Sequence, residues 1–142
     1  MLTGARSANA VAAETKAVKD PARSQGLQAP APQGSYKLVV LKGPGVFVGA
    51  EVAKQGGDSD LTFVRLDIDG RNVVNLSYAA AGNQGLTQAN PFGLVLLQTR
   101  PIDNLTIGFP EPLAYARELV LSVVVKEDGV VQILGNVVHG SA

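Results

Sequence analysis

The residues with chemistry to offer are few. Four aspartates crowd one stretch: Asp58, Asp60, Asp67 and Asp69. Calcium takes about six to eight oxygens from carboxylates, carbonyls and water, and Asp58-Ser59-Asp60 with Asp67-Ile68-Asp69 offers part of such a set. The spacing matches no EF-hand loop, which also ends in a glutamate. Asp67 and Asp69 share a strand parity, and Asp69 before Gly70 reads as a turn residue. Glu111 and Glu118 form a second carboxylate pair, which would suit glycoside hydrolysis at the right separation. Nothing in the sequence sets that separation. His139 is the single histidine, which excludes any site needing two imidazoles. It reads as an exposed residue near the chain end. Cysteine is absent, which excludes disulfides, thiolate nucleophiles and cysteine-bound metals. Ser77 and Ser122 lack the Gly-x-Ser-x-Gly turn of a hydrolase. No phosphate-binding loop or dinucleotide fingerprint occurs. The reading is a protein with no catalytic residues, no cofactor and no metal. Asn75-Leu76-Ser77 and Asn104-Leu105-Thr106 match the glycosylation sequon, but both fall inside expected strands and read as coincidence.

Charge and composition narrow the classes further. Twelve Lys and Arg balance twelve Asp and Glu in 142 residues. A dedicated nucleic-acid binder carries a clear basic excess, so no nucleic-acid partner is expected. No apolar run approaches the roughly 20 residues of a membrane helix, and the start lacks the compact apolar stretch of a secretory signal. Trp is absent and aromatics are 5% of the chain, so the core must be aliphatic.

The elements that would position these residues divide the chain in two. Residues 1–35 are rich in Ala, Ser, Gln, Gly and Pro and contain no aromatic residue. Residues 5–19 hold good helix formers, and Asp20-Pro21 stops any such helix. Residues 28–34 read as an extended, polyproline-like linker. Arg6, Lys16, Lys19 and Arg23 outweigh Glu14 and Asp20, leaving this arm at +2 and the rest at −2. Fully extended, such an arm reaches about 110 Å, enough to cross a neighbouring subunit.

From Tyr36 the pattern turns to β. Strands are expected at 36–42, 46–52, 61–68, 71–78, 92–98, 104–109, 119–125 and 130–138. In 61–68, Val64, Leu66 and Ile68 alternate with Arg65 and Asp67, the period of a half-buried strand. The run 119–125 is nearly all apolar and reads as a central strand. Short strands separated by turn chemistry indicate a sandwich or barrel, and eight favour a jelly roll. The expected fold is all-β: an eight-strand, jelly-roll-like β-sandwich at 36–142, preceded by an extended N-terminal arm at 1–35. Helical spacing is nowhere sustained after residue 35. The loop 79–91 presents the neutral amides of Asn83, Gln84, Gln88 and Asn90, which suit protein contacts or glycan hydrogen bonds. In 109–119, Pro110 and Pro112 stiffen a strand exit, and Leu113 and Tyr115 turn back toward apolar surface. That corner is a second docking candidate.

An arm followed by a valine-rich sandwich without cysteine resembles the single jelly-roll structural proteins of virions, in particular the capsid decoration (cement) proteins of tailed phages. The resemblance implies trimers at symmetry axes, arms that grip the major coat protein, and residence in a virion assembled in the host cytoplasm. The contact residues it implies are Arg6, Lys16, Lys19, Arg23, Asn83, Gln84, Gln88, Asn90, Pro110, Pro112 and Tyr115. Independently, the aliphatic content exceeds what a small core needs, which points to a homo-oligomer, with a trimer expected. The strand pattern resembles jelly-roll carbohydrate-binding modules equally well. In that alternative Tyr78, Tyr115 or the amides of 83–90 would hold a sugar.

Overall fold

Alternating apolar and polar residues become strands wherever two sheets can bury one face of each. The computed structural model describes residues 18–142 and shows this arrangement. Among the described residues it contains ten strands and one short helix: β1 (Lys19–Gln28), β2 (Gly34–Lys42), β3 (Gly45–Gly56), β4 (Thr62–Ile68), β5 (Arg71–Ser77), α1 (Tyr78–Asn83), β6 (Leu94–Gln98), β7 (Ile102–Ile107), β8 (Leu113–Tyr115), β9 (Glu118–Val125) and β10 (Val130–Ser141). One sheet has the order β1-β10-β3-β7-β6, with β8 also on β3; the other has the order β2-β9-β4-β5. All the pairs are antiparallel.

The chain is a long folded ribbon wound into two layers. The first strand pairs with the last, the second with β9, and the third with both β7 and β8. The paired ends then close onto the interior strands through β10–β3 and β9–β4. This winding is that of a jelly roll. Its eight strands are β1, β2, β3, β4, β5, β7, β9 and β10, with β6 and β8 added at the flank. The eight expected strands all exist, but β1 and β8 were not among them.

The division at residue 35 is therefore corrected. Residues 19–28 are the first strand of the sandwich, not part of an arm. The expected helix at 5–19 lies largely outside the described residues. Strand β1 carries no hydrophobic alternation because it is an edge strand, held by backbone pairing to β10. An edge tolerates Pro21, and the register shifts between Lys19 and Ala22. Inward-facing Gly26 lets β1 lie directly against the backbone of Leu38, where a methyl group would collide with the carbonyl. His139 is no free chain end either. It pairs with Ala22 and Phe47, and its Nε2 lies 2.9 Å from Ser24 Oγ.

Strand β4 buries Thr62, Val64, Leu66 and Ile68 and half-exposes Phe63, Arg65 and Asp67, as the alternation requires. Strand β9 is central, between β2 and β4. The loop after β5 opens with α1, capped by Ser77, whose Oγ accepts from Ala80 N–H at 3.0 Å. Phe47 and Phe109 meet at 6.1 Å in a mainly aliphatic core that also takes in Tyr78 and Tyr115.

The docking of β1 can be tested by substitution. Gly26→Ala forces a methyl into backbone and should destabilise the fold by about 1–3 kcal/mol, seen as a Tm several degrees lower. A chain starting at Gly34 should melt lower still or aggregate, because it bares the edge of β10. Equal melting of that truncation and the full chain would refute the pairing.

Candidate functional site

Strands β3 and β7 run past their apolar stretches, and charge occupies their inward positions. Lys54 follows Val52 on the buried parity, and Asp103 precedes Leu105. The two residues are direct cross-strand partners. Thr62 precedes Val64, and Glu127 continues the line of Val123 and Val125. Lys54, Thr62 and Asp103 are wholly buried and Glu127 nearly so.

Lys54 Nζ stands at the centre. It donates to Gly56 O at 2.9 Å and to Asp60 Oδ1 at 2.9 Å. Glu127 Oε2 is 3.3 Å away and Asp103 Oδ2 3.9 Å. The Tyr78 ring covers one side, 5.2 Å from Nζ to its centroid, and its hydroxyl donates to Val52 O at 2.6 Å. Glu127 Oε1 accepts the N–H groups of Ser59 and Asp60, and Oε2 accepts the Thr62 hydroxyl at 2.6 Å. Arg100 closes the cluster from the solvent side. Its Nη2 donates to Asp60 Oδ2 at 2.8 Å and its Nη1 to Asp103 Oδ2 at 3.1 Å. At Gly57, with φ of 102°, any side chain would run into Glu127 and Lys54.

Two cations thus face three carboxylates in a region largely closed to water. The Arg100 hydrogen bond, against partial burial and with help from Lys54, holds the Asp60 carboxyl down at about 2. Burial pushes the Asp103 carboxyl up, above the ordinary aspartate value, against the pull of Arg100 and Lys54. Burial, then the surrounding carboxylates, raises the Tyr78 phenol well above its usual range. No outside substrate can reach Lys54, whose side chain is fully covered.

The aspartates singled out from sequence do not converge. Asp60 joins this cluster, whereas Asp58 accepts the Asp128 N–H. Asp67 faces Arg65 and Asn72. Asp69 accepts the N–H groups of Ala116, Arg117 and Glu118 at 2.8, 2.7 and 2.9 Å. Those backbone donors, Ala116 first, lower its carboxyl. Glu118 pairs with Lys42 at 3.1 Å. Tyr115 and Tyr78 are both buried, which overturns their roles as a docking residue and as sugar platforms. Asn83, Gln84 and Gln88 are exposed, as are Pro110, Pro112, Lys19 and Arg23. Asn90 is instead a staple within its loop, donating to Leu94 O and accepting from Phe92 N–H. Arg6 and Lys16 lie outside the described residues.

The two outer faces of the sandwich differ in charge. On the β2-β9-β4-β5 face, Lys37, Ser122, Arg65 and Asn75 line up in register, with Lys42, Glu118 and Asp67 beside them. On the other face, one row reads Gln25, Asn136, Glu51, Thr106 and Val95, and the next Leu27, Leu134, Ala53, Asn104 and Leu97. Arg23 and Glu51 are the charges flanking a shallow cleft of about 350 Å³ on this side. Leu27 and Leu97 are each 60% exposed, and Ile102 and Val138 are also bare. Sequence reasoning missed Lys54, Asp103 and Glu127. The signal was a charged residue continuing each inward apolar alternation.

No protein-family model matches the sequence, and no curated protein sequence matches it. Among solved structures, a chain of the acidic stable capsid structure of Helicobacter pylori bacteriophage KHP30 is similar. Its TM-score is 0.54 at 13% identity, over 87% of this chain and 90% of that one. A chain of the Aeromonas sobria serine protease and chaperone complex follows at TM-score 0.49 and 10% identity, over 95% of this chain and 30% of that one. An acetyl xylan esterase of Butyrivibrio proteoclasticus matches at TM-score 0.36 and 11% identity, over 85% of this chain and 32% of that one. The chain spans about a third of the length of the latter two and nearly the whole of the first. At 13% identity the likeness to the capsid chain is one of fold.

The Asp60–Arg100 contact has a defined pH signature. The folded value of Asp60 lies below the ordinary 3.8, so its ionised form favours folding. That contribution is whole above the ordinary value and is lost as pH falls through about 2. Asp103 has the opposite sign: its raised value favours folding when protonated, and that contribution is lost as pH rises through the folded value. Asp60→Asn should therefore flatten the loss of stability between about pH 4 and pH 2, measured by urea unfolding across that range. An acid limb as steep as that of the unsubstituted protein would show that the contact does not form.

Proposed function

We propose that this chain is a non-enzymatic structural protein of a virion, a capsid decoration (cement) protein that associates with itself and binds assembled coat subunits. The observation that carries the reading is the neutral outer face of the β1-β10-β3-β7-β6 sheet. Isolated small proteins rarely leave broad apolar patches bare, and such patches mark interaction sites. Here Leu27, Leu97, Ile102 and Val138 lie among amides and small residues on one sheet. The opposite sheet carries most of the outward charge, with Val40 and Val73 exposed beside it. A face of this kind suits a second copy or a coat subunit, whereas a soluble substrate would need a pocket.

Two further points support it. The fold neighbour from a phage capsid is matched over 90% of its own length, so the likeness covers that chain nearly end to end. Strand β1 also begins beside the C-terminal strand, where Lys19 pairs with Ser141. The arm of the proposal is then residues 1–18, carrying Arg6 and Lys16, with an extended reach of about 60 Å. It starts at the edge of the neutral sheet and supplies the grip on coat protein. The sealed cluster around Lys54 and the divergent aspartates support a protein without catalysis. A homotrimer and residence in the virion complete the reading.

Light scattering gives the first test. The full chain should show a trimer mass at micromolar concentration. The double variant Leu27→Asp/Leu97→Asp should be monomeric with a Tm close to that of the parent, since both side chains are already in water. Co-expressed with the coat protein of its own genome, the parent should sediment with capsids, and a chain starting at Lys19 should do so weakly. A monomer that ignores capsids would end this proposal.

A further inference from the structure

We infer that Lys54 and Asp103 join through an isopeptide bond inside the sandwich, with Glu127 relaying the proton. Three observations place the reacting groups together. Lys54 and Asp103 are register partners on adjacent strands, with Nζ 3.9 Å from Oδ2. Attack requires Nζ to close on Asp103 Cγ to roughly 3–3.5 Å. Glu127 Oε2 lies 3.3 Å from Nζ on the other side and is held there by Thr62 and two backbone N–H groups. Asp103 Oδ1 is buried without a hydrogen-bond partner, whereas Oδ2 is held by Arg100 at 3.1 Å.

The buried pair of ammonium and carboxylate contains the same atoms as a pair of amine and carboxylic acid. Burial penalises both charges and favours the neutral pair, and a desolvated amine is the nucleophilic form of lysine. Glu127 takes the proton from the Lys54 ammonium and passes it to Asp103 Oδ1, which leaves a neutral amine, a carboxylic acid and a free Glu127 carboxylate. The Nζ lone pair attacks Asp103 Cγ, and the Arg100 guanidinium steadies the negative charge that grows on Oδ2. Glu127 accepts the second proton leaving Nζ and delivers that proton to Oδ1, which regenerates its carboxylate. The Cγ–Oδ1 bond breaks, the Nζ–Cγ bond remains, and one water departs past Arg100 to solvent. Amine and acid become amide and water, with no oxidant or co-reactant. Asp60 is closer to Nζ, at 2.9 Å, but its doubly bonded contact with Arg100 keeps it a carboxylate, which resists attack. The finished bond ties β3 to β7 at the end of the sheet, beneath the neutral face.

The decisive experiment is the intact mass of the denatured, full-length protein after prolonged incubation at neutral pH. The expected mass is lower than that of the sequence by one water, and peptide mapping should yield a branched peptide joining the segments of Lys54 and Asp103. Glu127→Gln and Lys54→Arg, checked for β structure by circular dichroism, should show their full sequence masses. An unsubstituted protein at its full sequence mass would overturn the inference and leave a purely ionic cluster. So would a branch that joins Lys54 to Asp60 or Glu127. Loss of water in Glu127→Gln would remove the relay from the mechanism.

Discussion

A single amine sealed between two sheets constrains this molecule more than any other group. Burying an ion costs several kcal/mol unless partners of good geometry surround it, and Lys54 has no access to water. Its neighbours come from four separate places: the 57–60 turn through Asp60, α1 through Tyr78, β7 through Asp103, and the corner between β9 and β10 through Glu127, which Thr62 of β4 holds in turn. Each partner also binds something else. Glu127 anchors the turn at Ser59 and Asp60, and Arg100 ties Asp60 to Asp103. The register of β3 on β7 and the path of two turns follow from satisfying one charge. Elsewhere the core is mainly aliphatic. At this end a slip of one residue would place Lys54 on the outer face.

The other organising constraint is the winding of the ribbon. Pairing the first strand with the last puts β1 at the edge of the larger sheet and brings the start of the described chain to its C-terminal strand. It also gathers nearly uncharged outward positions from β1, β10, β3, β7 and β6 on one surface. The charged outward positions fall on β2, β9 and β4. The asymmetry belongs to the whole sheet and to no one segment. That is why the contact surface proposed here is a face, where the local motifs had pointed to the amide loop and the proline corner.

Strong local patterns were legible in the residues. The alternation of 61–68, the Asp69-Gly70 turn and the apolar run 119–125 lie where their period and composition place them. Strand β1 was not legible. An edge strand draws its stability from backbone hydrogen bonds, and its inward side chains are Ser24, Gly26 and Gln28, none of them hydrophobic. The ends of β3 and β7 were not legible either, since Lys54 and Asp103 look like the polar residues that stop a strand. Tyr78 and Tyr115 looked available because the sequence does not record which face of a turn meets the core. Phe63, on the polar parity of β4, is half-exposed with the Lys126 ammonium over its ring at 5.4 Å.

By itself, the sequence determined an aliphatic all-β sandwich without cysteine chemistry and with balanced charge. Those properties follow from composition and from periods of two residues, which are local. Tertiary structure alone decided that residues 19–28 close the jelly roll. It alone decided that Lys54, Asp60, Asp103 and Glu127 share one sealed space, and that a neutral face opposes a charged one. Each of these joins residues from strands far apart in the chain, and their meeting is set by sheet register, which no local pattern encodes.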